Sequence, residues 1–245
     1  MTDLHVHTNF CDGHDSPEEM VLSAISKGLK KLGIVTHSYV PFDPESCISI
    51  DRIEDFVYEI SVLKKKYQDR IELLCGVEMD IFSTHDTTLF DYVIGSVHYL
   101  KQDGRYISVD ETPTMLLDMI KKHYSGDFYA CAEDYFDTVA QWAERSPDII
   151  GHFDLIKKFS LFARFDPENE RYRAAWQKAA DALLKLGVPF EINTGGIAKG
   201  WLREPYPSDE MIDYILSHGG SVILSSDAHR KEKIAFGFEY LNQKL

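Results

Sequence analysis

The residues of this chain that can do chemistry are side chains able to hold metal ions, and they recur where apolar, strand-like runs end. They are His5, His7, His14, His37, Glu78, His98, His152, Asp227 and His229. Sets that mix imidazoles with carboxylates suit zinc, manganese, iron and cobalt alike. The pattern therefore indicates a metal site without fixing the metal.

Two short motifs place a pair of these side chains on one face of a strand. His5-Val6-His7 and Asp227-Ala228-His229 both have the i, i+2 spacing, which points two side chains the same way along a strand. Such a pair can bind one ion together. Taken alone, two alternating histidines are equally well interpreted as partly exposed polar residues. The loop that follows His7 brings another histidine, His14, and favours the metal interpretation.

Glu78 lies in an apolar run with the sequence CGVEMD. An unpaired carboxylate is costly to bury, so Glu78 needs a cation beside it. The alternative is a lysine or arginine partner in the core, but the strand-like runs contain almost none. Because a carboxylate has two oxygens, Glu78 is our candidate for a ligand that bridges two ions.

Other histidines and acids in the chain have simpler interpretations. His85 lies in a polar loop, and His123 and His218 lie near predicted helix ends, where a cation complements the helix dipole. Three acids next to ligand positions are either turn and surface residues or partners that orient imidazoles. They are Asp12, Asp80 and Asp154.

Strand-like and helical segments alternate along the whole chain. Strands are predicted near residues 4–8, 32–36, 71–80, 92–97, 149–153, 188–193 and 221–225. Helices are predicted over 17–27, 51–66, 114–124, 128–145, 168–185 and 208–217, with a short one after 231. The first helix has explicit end signals, because Ser16 and Glu19 form a capping box, Pro17 lies between them and Gly28 follows the last turn.

This alternation indicates a parallel sheet covered by helices, either open or closed into a barrel. The candidate ligands favour the barrel, because a (β/α) barrel gathers residues from the carboxyl ends of several strands around one mouth. In an open sheet the first and last strands would lie too far apart to share a site, unless the strand order brought them together. We expect a single domain over residues 1–245, closed by seven or eight strands.

Composition limits the functional classes. A chain of 245 residues with 44% hydrophobic content can bury one continuous core. The formal net charge of -14 argues against nucleic acid as a partner, whereas bound divalent cations would still attract a small anionic substrate. The four cysteines are widely spaced and predicted to be reduced thiols. The amino terminus lacks the pattern of a signal peptide and no apolar run approaches the ~18 residues of a membrane span, so we expect a cytoplasmic protein without a membrane partner.

Several motifs that contain the candidate ligands occur in a fixed order. They are HVHTNFCDGH, GIVTHS, GVEMD, GSVHYL, GHFDLIKKF, EINTGG and SSDAHR. This ordered set resembles the polymerase and histidinol phosphatase (PHP) superfamily, most of all its stand-alone histidinol-phosphate phosphatases. The resemblance extends from His5 to His229. It implies a distorted (β/α)7 TIM-like barrel with a trinuclear metal centre.

Carried over by position, the resemblance also implies three sets of ligands for three divalent ions. One ion would be held by His5, His7, Glu78 and Asp227, a second by Glu78, His98 and His152, and a third by His14, His37 and His229. The loop after the first strand varies in length in this superfamily, so Asp12 is an alternative to His14 in the third set.

The expected reaction is hydrolysis of L-histidinol phosphate, a step of histidine biosynthesis, with a hydroxide that bridges the ions as the nucleophile. The candidate catalytic residues are Glu78, Asp227 and His229, and Asp227 or a nearby histidine would protonate the leaving alcohol. Candidate phosphate contacts are Lys158, Lys199 and Arg203, each of which is otherwise a surface charge; the resemblance favours the two lysines. Candidate wall residues are Tyr39, Phe42 and Tyr99.

Three other functions stay open at this point. The same metals could act on a nucleotide or another small phosphomonoester, because a fold does not settle a substrate. An HxH motif on a first strand also occurs in barrels that hydrolyse amides, although the third set of ligands speaks against that class. A metal-binding module without catalysis is disfavoured by the retention of every candidate ligand.

Overall fold

The computed structural model describes residues 1–163 and 165–241, which form a ring of parallel strands surrounded by helices. The strands are β1 (Thr2–Val6), β2 (Lys31–His37), β3 (Glu72–Asp80), β4 (Tyr92–Ser96), β5 (Tyr99–Gln102), β6 (Arg105–Ser108), β7 (Ile149–Ile150), β8 (Phe190–Asn193) and β9 (Val222–Ser225). All except β5 and β6 belong to one sheet, and they are the strands that the sequence predicts.

Helices separate successive barrel strands along most of the chain. They are α1 (Pro17–Ser26), α2 (Ile53–Tyr67), α3 (Pro113–His123), α4 (Phe128–Ala140), α5 (Glu170–Leu184), α6 (Gly195–Ala198), α7 (Asp209–Ser217) and α8 (Phe238–Leu241). Short 3-10 helices occupy Ile50–Arg52, Gln141–Glu144, Leu155–Lys157 and Lys231–Lys233. The single helix predicted over 128–145 is therefore α4 followed by a tighter turn. The sequence does not predict α6, because its Gly-Gly start is typical of a loop.

The main sheet closes almost completely on itself. Its order is β1-β2-β3-β4-β7-β8-β9, and every neighbouring pair is parallel. Between β9 and β1 the described residues form one parallel bridge, Val6 with Ala228, in which the His7 amide donates to the Ala228 carbonyl at 2.9 Å. The predicted seven-stranded barrel is confirmed, with a thin seam where the first and last strands meet.

The strands are buried because their apolar side chains face the covering helices. One core cluster includes Phe136, Trp142 and Trp176, and a second includes Met20 and Phe56. Helix α1 begins as the sequence predicts, since the Ser16 hydroxyl accepts from the Glu19 amide and the Glu19 carboxylate accepts from the Ser16 amide. These contacts fix the walls of the barrel and leave the carboxyl ends of its strands to form the mouth.

The antiparallel hairpin of β5 and β6 is also absent from the predicted set. Its turn is Asp103-Gly104, and both residues have positive φ, 50° and 76°. Asp-Gly turns of this kind are a strong hairpin signal, so the sequence did contain the information. The hairpin follows β4 directly, and its residues Tyr99 and Ser108 line the pocket at the mouth of the barrel.

The structure also bears on two expectations from composition. All four cysteines, Cys11, Cys47, Cys75 and Cys131, are free thiols, as predicted. Within the described part of the chain, no helix combines the length and apolarity that crossing a membrane requires.

Candidate metal centre

Eight of the nine predicted ligands, all except His14, meet at the mouth of the barrel, where the strands end. His5 lies in β1, His37 ends β2 and Glu78 lies near the end of β3. The other ligands follow strand ends: His7 follows β1, His98 follows β4, His152 follows β7, and Asp227 and His229 follow β9. A parallel barrel brings these ends together, which explains how residues more than two hundred positions apart share one site.

Glu78 is the centre of this cluster. Its side chain is 1% exposed, and Oε1 lies 2.8 Å from Nε2 of His152 and 3.2 Å from Nε2 of His98. Its second oxygen, Oε2, lies 3.0 Å from Nδ1 of His37. It also lies 3.2 Å from Nε2 of His5 and 3.3 Å from Nε2 of His7. The carboxylate therefore contacts five imidazoles, which come from the ends of four strands, β1, β2, β4 and β7.

His5, His7 and Asp227 form the first group of potential metal ligands. The Nε2 atoms of His5 and His7 are 3.0 Å apart, and Asp227 Oδ1 lies 3.4 Å from Nε2 of His7. Asp227 has a φ of 51°, a left-handed conformation that is uncommon outside glycine. Such backbone conformations cluster at functional sites, where surrounding contacts hold them.

His37, Glu78 and His98 form a second group. His152, which the sequence also predicts in this region, lies beside it, since its ring centroid is 4.9 Å from that of His98. His152 is not a member of this group, but its Nε2 lies 2.8 Å from Oε1 of Glu78, which is.

The third group contains Asp12 instead of His14. It consists of His7, Asp12, His37 and His229, and Asp12 Oδ2 lies 3.1 Å from Nε2 of His229. His14 has an exposed side chain, and its contact with His229 is made by the backbone, where the His14 amide donates to the His229 carbonyl at 2.9 Å. The structure thus places the alternative ligand, Asp12, among the grouped side chains, and His14 is not one of them.

The contacts of Glu78 Oε2 fit a site for cations. Three imidazole nitrogens lie within 3.3 Å of this buried oxygen, yet it accepts no hydrogen bond of acceptable geometry. Imidazole nitrogens and carboxylate oxygens are the atoms that bind zinc in proteins, so their convergence here fits a bound ion. The mixture of imidazoles and carboxylates is also the donor set that divalent transition metals prefer.

The electrostatics of the cluster lead to the same interpretation. Burial raises the pKa of Glu78, but His5, His37 and other imidazoles outweigh burial and hold that pKa well below its usual range. Burial lowers the pKa of His5, but Glu191, Glu78 and Asp227 raise it well above its ordinary value. The buried carboxylates therefore stabilise positive charge among the imidazoles of this cluster, and either protons or metal ions can supply that charge.

Lys158 and Lys199 line the same pocket as the predicted ligands. Lys158 Nζ lies 2.9 Å from a carboxylate oxygen of Asp110, a residue for which sequence analysis gave no role. Desolvation lowers the pKa of Lys199, but Asp227, Asp110 and other acids outweigh it and raise that pKa, so the ammonium is charged. Both lysines can therefore contact an anion at the mouth. Arg203 is exposed and does not line the pocket.

The walls of the pocket differ from the predicted ones. Tyr99 lines it, and its hydroxyl donates to Asp43 at 2.5 Å. Phe42 stacks on Tyr106 instead, with ring centroids 4.0 Å apart, and Tyr39 does not line the pocket either. Three acids with no predicted role also line the pocket, Asp43, Asp110 and Glu111.

The acids and histidines outside the three groups divide into supporting and unrelated residues. Asp80 accepts from the His98 amide at 2.9 Å and so supports a ligand, whereas Asp154 pairs with Lys157 at 2.9 Å, away from the ligands. Glu191, which sequence analysis missed, is fully buried and contacts His5. Its signal was the same as that of Glu78, a carboxylate inside an apolar strand. His85, His123 and His218 belong to none of the grouped ligands in the described chain.

Fold and site together define a class of protein, a (β/α)7 barrel that gathers imidazoles and carboxylates able to bind divalent metal ions at its mouth. The model of the PHP domain matches residues 3–195, so the chain belongs to the PHP domain family. The name of the family agrees with the resemblance seen in the sequence motifs.

Known relatives cover nearly the whole chain. The histidinol-phosphatase of Bacillus subtilis (strain 168) is 26% identical over 261 aligned positions, which cover 97% of this chain and 96% of that protein. A structure from Listeria monocytogenes, provisionally described as the histidinol phosphatase hisK, has a TM-score of 0.86 at 22% identity and covers 98% of this chain and 99% of its own. The histidinol phosphate phosphatase of Lactococcus lactis, complexed with zinc, L-histidinol and phosphate, has a TM-score of 0.73 at 22% identity, with 99% and 91% covered. Both structures share the fold.

Proposed function

We propose that this protein is a metal-dependent phosphatase that hydrolyses L-histidinol phosphate to L-histidinol and phosphate. The observation that carries the proposal is the convergence of three groups of metal ligands on Glu78, in a pocket that also contains Lys158 and Lys199. The relative in Bacillus subtilis, which is named histidinol-phosphatase and aligned over 97% of this chain, supports the choice of substrate.

The proposed centre contains three divalent ions. His5, His7, Glu78 and Asp227 would hold one ion, Glu78, His98 and His152 a second, and Asp12, His37 and His229 a third. When bound, such ions neutralise charge on a phosphoryl group and lower the pKa of water from 15.7 towards about 7. Zinc in the related structure from Lactococcus lactis supports zinc as the first metal to test.

The protein's own residues would hold the substrate at both of its ends. Lys158 and Lys199 bring ammonium groups to the mouth and would bind phosphoryl oxygens as point charges. Asp43 and Glu111 also line the pocket and would attract the ammonium and imidazole of L-histidinol phosphate. The lysines would thus bind the phosphoryl end of the substrate, and the acids would bind its cationic end.

Proton transfer to the leaving alcohol needs a group that reaches the pocket. Asp227 and His229 both line it, so we propose that one of them performs this step. The proposal also predicts that Glu78 is required for turnover, because its two oxygens lie within 3.2 Å of imidazoles from all three ligand sets.

The test is phosphate release from L-histidinol phosphate beside a panel of nucleotides and other small phosphomonoesters, with metals quantified in the same sample. We expect L-histidinol phosphate to have the highest kcat/KM, chelation to abolish turnover, and added zinc or manganese to restore it. Glu78→Gln should be inactive, whereas His85→Ala, a control outside the ligand groups, should retain activity. Turnover that survives complete removal of metal would overturn the mechanism, and preference for a nucleotide would overturn the substrate.

A further inference from the structure

The inference concerns Glu191, a buried carboxylate of β8 that is 0% exposed. Its Oε1 lies 2.7 Å from Nδ1 of His5 in β1. Its Oε2 accepts from the backbone amide of His152 at 3.1 Å and from the side-chain amide of Asn193 at 3.1 Å. One carboxylate thus joins β8 to a candidate ligand of β1 and to another that follows β7.

The contact with His5 decides which nitrogen of that imidazole is free. Ionised Glu191 can only accept, so the proton of neutral His5 lies on Nδ1 and points at Oε1. Nε2 then has its lone pair and faces the cluster, 3.2 Å from Glu78 and 3.0 Å from Nε2 of His7. The other tautomer would direct an N–H at the ligands and leave Nδ1 and Glu191 as two acceptors face to face.

We propose that Glu191 is a positioning residue of the metal centre, which holds His5 in the metal-binding tautomer and keeps His5 and His152 at a fixed separation. The proposal rests on the proposed function only in requiring that His5 binds a metal. Carboxylates that accept the second ring N–H of a ligating histidine fix its orientation and raise its basicity as a ligand.

The number of donors around Glu191 explains why an amide cannot replace it. Three N–H groups point at its two oxygens, from His5, His152 and Asn193. A carboxylate accepts from all three, whereas a glutamine has one accepting oxygen and would turn its own NH₂ towards an N–H donor. Glu191→Gln is nearly the same size, so its effect isolates hydrogen bonding from packing.

The experiment is titration of zinc or cobalt into metal-stripped protein. We expect Glu191→Gln to weaken the tightest metal-binding step about 10- to 100-fold, the range measured for such partners. Asp154→Asn is the matched control, since Asp154 is also buried but pairs with Lys157 and contacts no candidate ligand. It should bind metal as the native protein does. Equal affinity in Glu191→Gln and the native protein would overturn the proposal.

A double-mutant cycle with His5 separates positioning from a general structural role. If Glu191 acts through His5, then Glu191→Gln should weaken metal binding much less in a His5→Ala background than in the native one. Equal effects in both backgrounds would refute action through His5. Because these readouts need no substrate, native protein that binds zinc without hydrolysing L-histidinol phosphate would contradict the proposed function alone.

A measurement on the native protein keeps the proposal testable if Glu191→Gln does not fold. Nitrogen-15 NMR of the zinc-loaded protein distinguishes a protonated Nδ1 from a protonated Nε2. We expect the His5 ring to carry its proton on Nδ1 and to lack one on Nε2. A proton on Nε2 of His5 would overturn the proposal.

Discussion

Asp12 Oδ2 lies 3.1 Å from Nε2 of His229, while His14, two residues further along the same loop, contacts His229 only through its backbone amide. The loop after β1 therefore brings the Asp12 carboxylate to the grouped ligands, which do not include the His14 imidazole. His37 contributes from the other side, with Nε2 3.5 Å from Asp12 Oδ1. These contacts make Asp12 the side chain of this loop that is placed to bind an ion.

The first prediction compares substitutions at these two positions. Asp12→Ala should lose one bound ion per chain and most of its turnover, because a missing ligand weakens an ion held by only three side chains. His14→Ala should retain both, since its backbone contact to His229 is unchanged. Metal analysis by mass spectrometry and phosphate release on the same preparations measure both quantities. Loss of an ion from His14→Ala with full retention in Asp12→Ala would reverse the assignment.

This loop also marks where sequence reasoning reached its limit. Strand-borne ligands such as His5 and Glu78 could be predicted because the alternation of a strand and the closure of a barrel determine where their side chains point. A loop has no such period, so the choice between Asp12 and His14 depended on local hydrogen bonds. The chain reversal there includes the Gly13 amide, which donates to the Thr8 carbonyl at 3.1 Å.

The second prediction concerns the basic residues at the mouth. Lys158→Ala and Lys199→Ala should each lower kcat/KM about 10- to 100-fold, because hydrogen bonds to charged groups contribute about 1.5–3 kcal/mol. Arg203→Ala should stay within about twofold of the native protein, since Arg203 is exposed outside the pocket and surface charges contribute little. Steady-state kinetics with L-histidinol phosphate at saturating zinc measures each effect. A larger loss in Arg203→Ala than in either lysine variant would contradict the geometry.

These three residues illustrate a second limit of the sequence. Lys158, Lys199 and Arg203 all follow strand ends, so the barrel topology alone cannot rank them. Helix α6, which the sequence does not predict, begins at Gly195 and ends next to Lys199. The negative charge of Asp227 then raises the pKa of the Lys199 ammonium. Arg203 lies beyond this turn, on the outer surface.

The third prediction concerns Gly151, which precedes His152 where β4 and β7 pair at only two positions. A Cβ at Gly151 would lie 2.3 Å from Ser96 Oγ and 2.9 Å from Ile94 Cγ2. Gly151→Ala should therefore cost about 1–3 kcal/mol of unfolding free energy, as overpacked cores do. Denaturant unfolding measures this loss. Ser96→Ala removes the nearer atom, so the double variant should lose less stability than the two single variants together. If the two losses of unfolding free energy simply add, Gly151→Ala does not clash with Ser96.

The last prediction concerns the pH dependence of stability through Glu19, which joins α1 to the segment after His229. Lys231 Nζ lies 2.7 Å from Glu19 Oε1, and the Ser16 amide donates to Oε2 at 3.0 Å. The hydrogen bond from Lys231, followed by those from Ser16, lowers the pKa of Glu19 to about 2 from an ordinary value of 4.5. The folded state therefore favours the ionised carboxylate.

A carboxylate with a lowered pKa stabilises the fold above its unfolded pKa and loses that contribution as the pH falls towards the folded value. The advantage of native protein over Glu19→Gln should thus be full at pH 6 and shrink steadily from about pH 4.5 to pH 2.5. Urea unfolding of both proteins at several pH values measures the difference, and other titrating groups cancel because they are common to both. In a Lys231→Met background the same difference should be smaller at pH 6, because the main cause of the shift is gone. A difference that stays constant from pH 6 to pH 2.5 would show that Glu19 contributes through packing of the helix end and not through its charge.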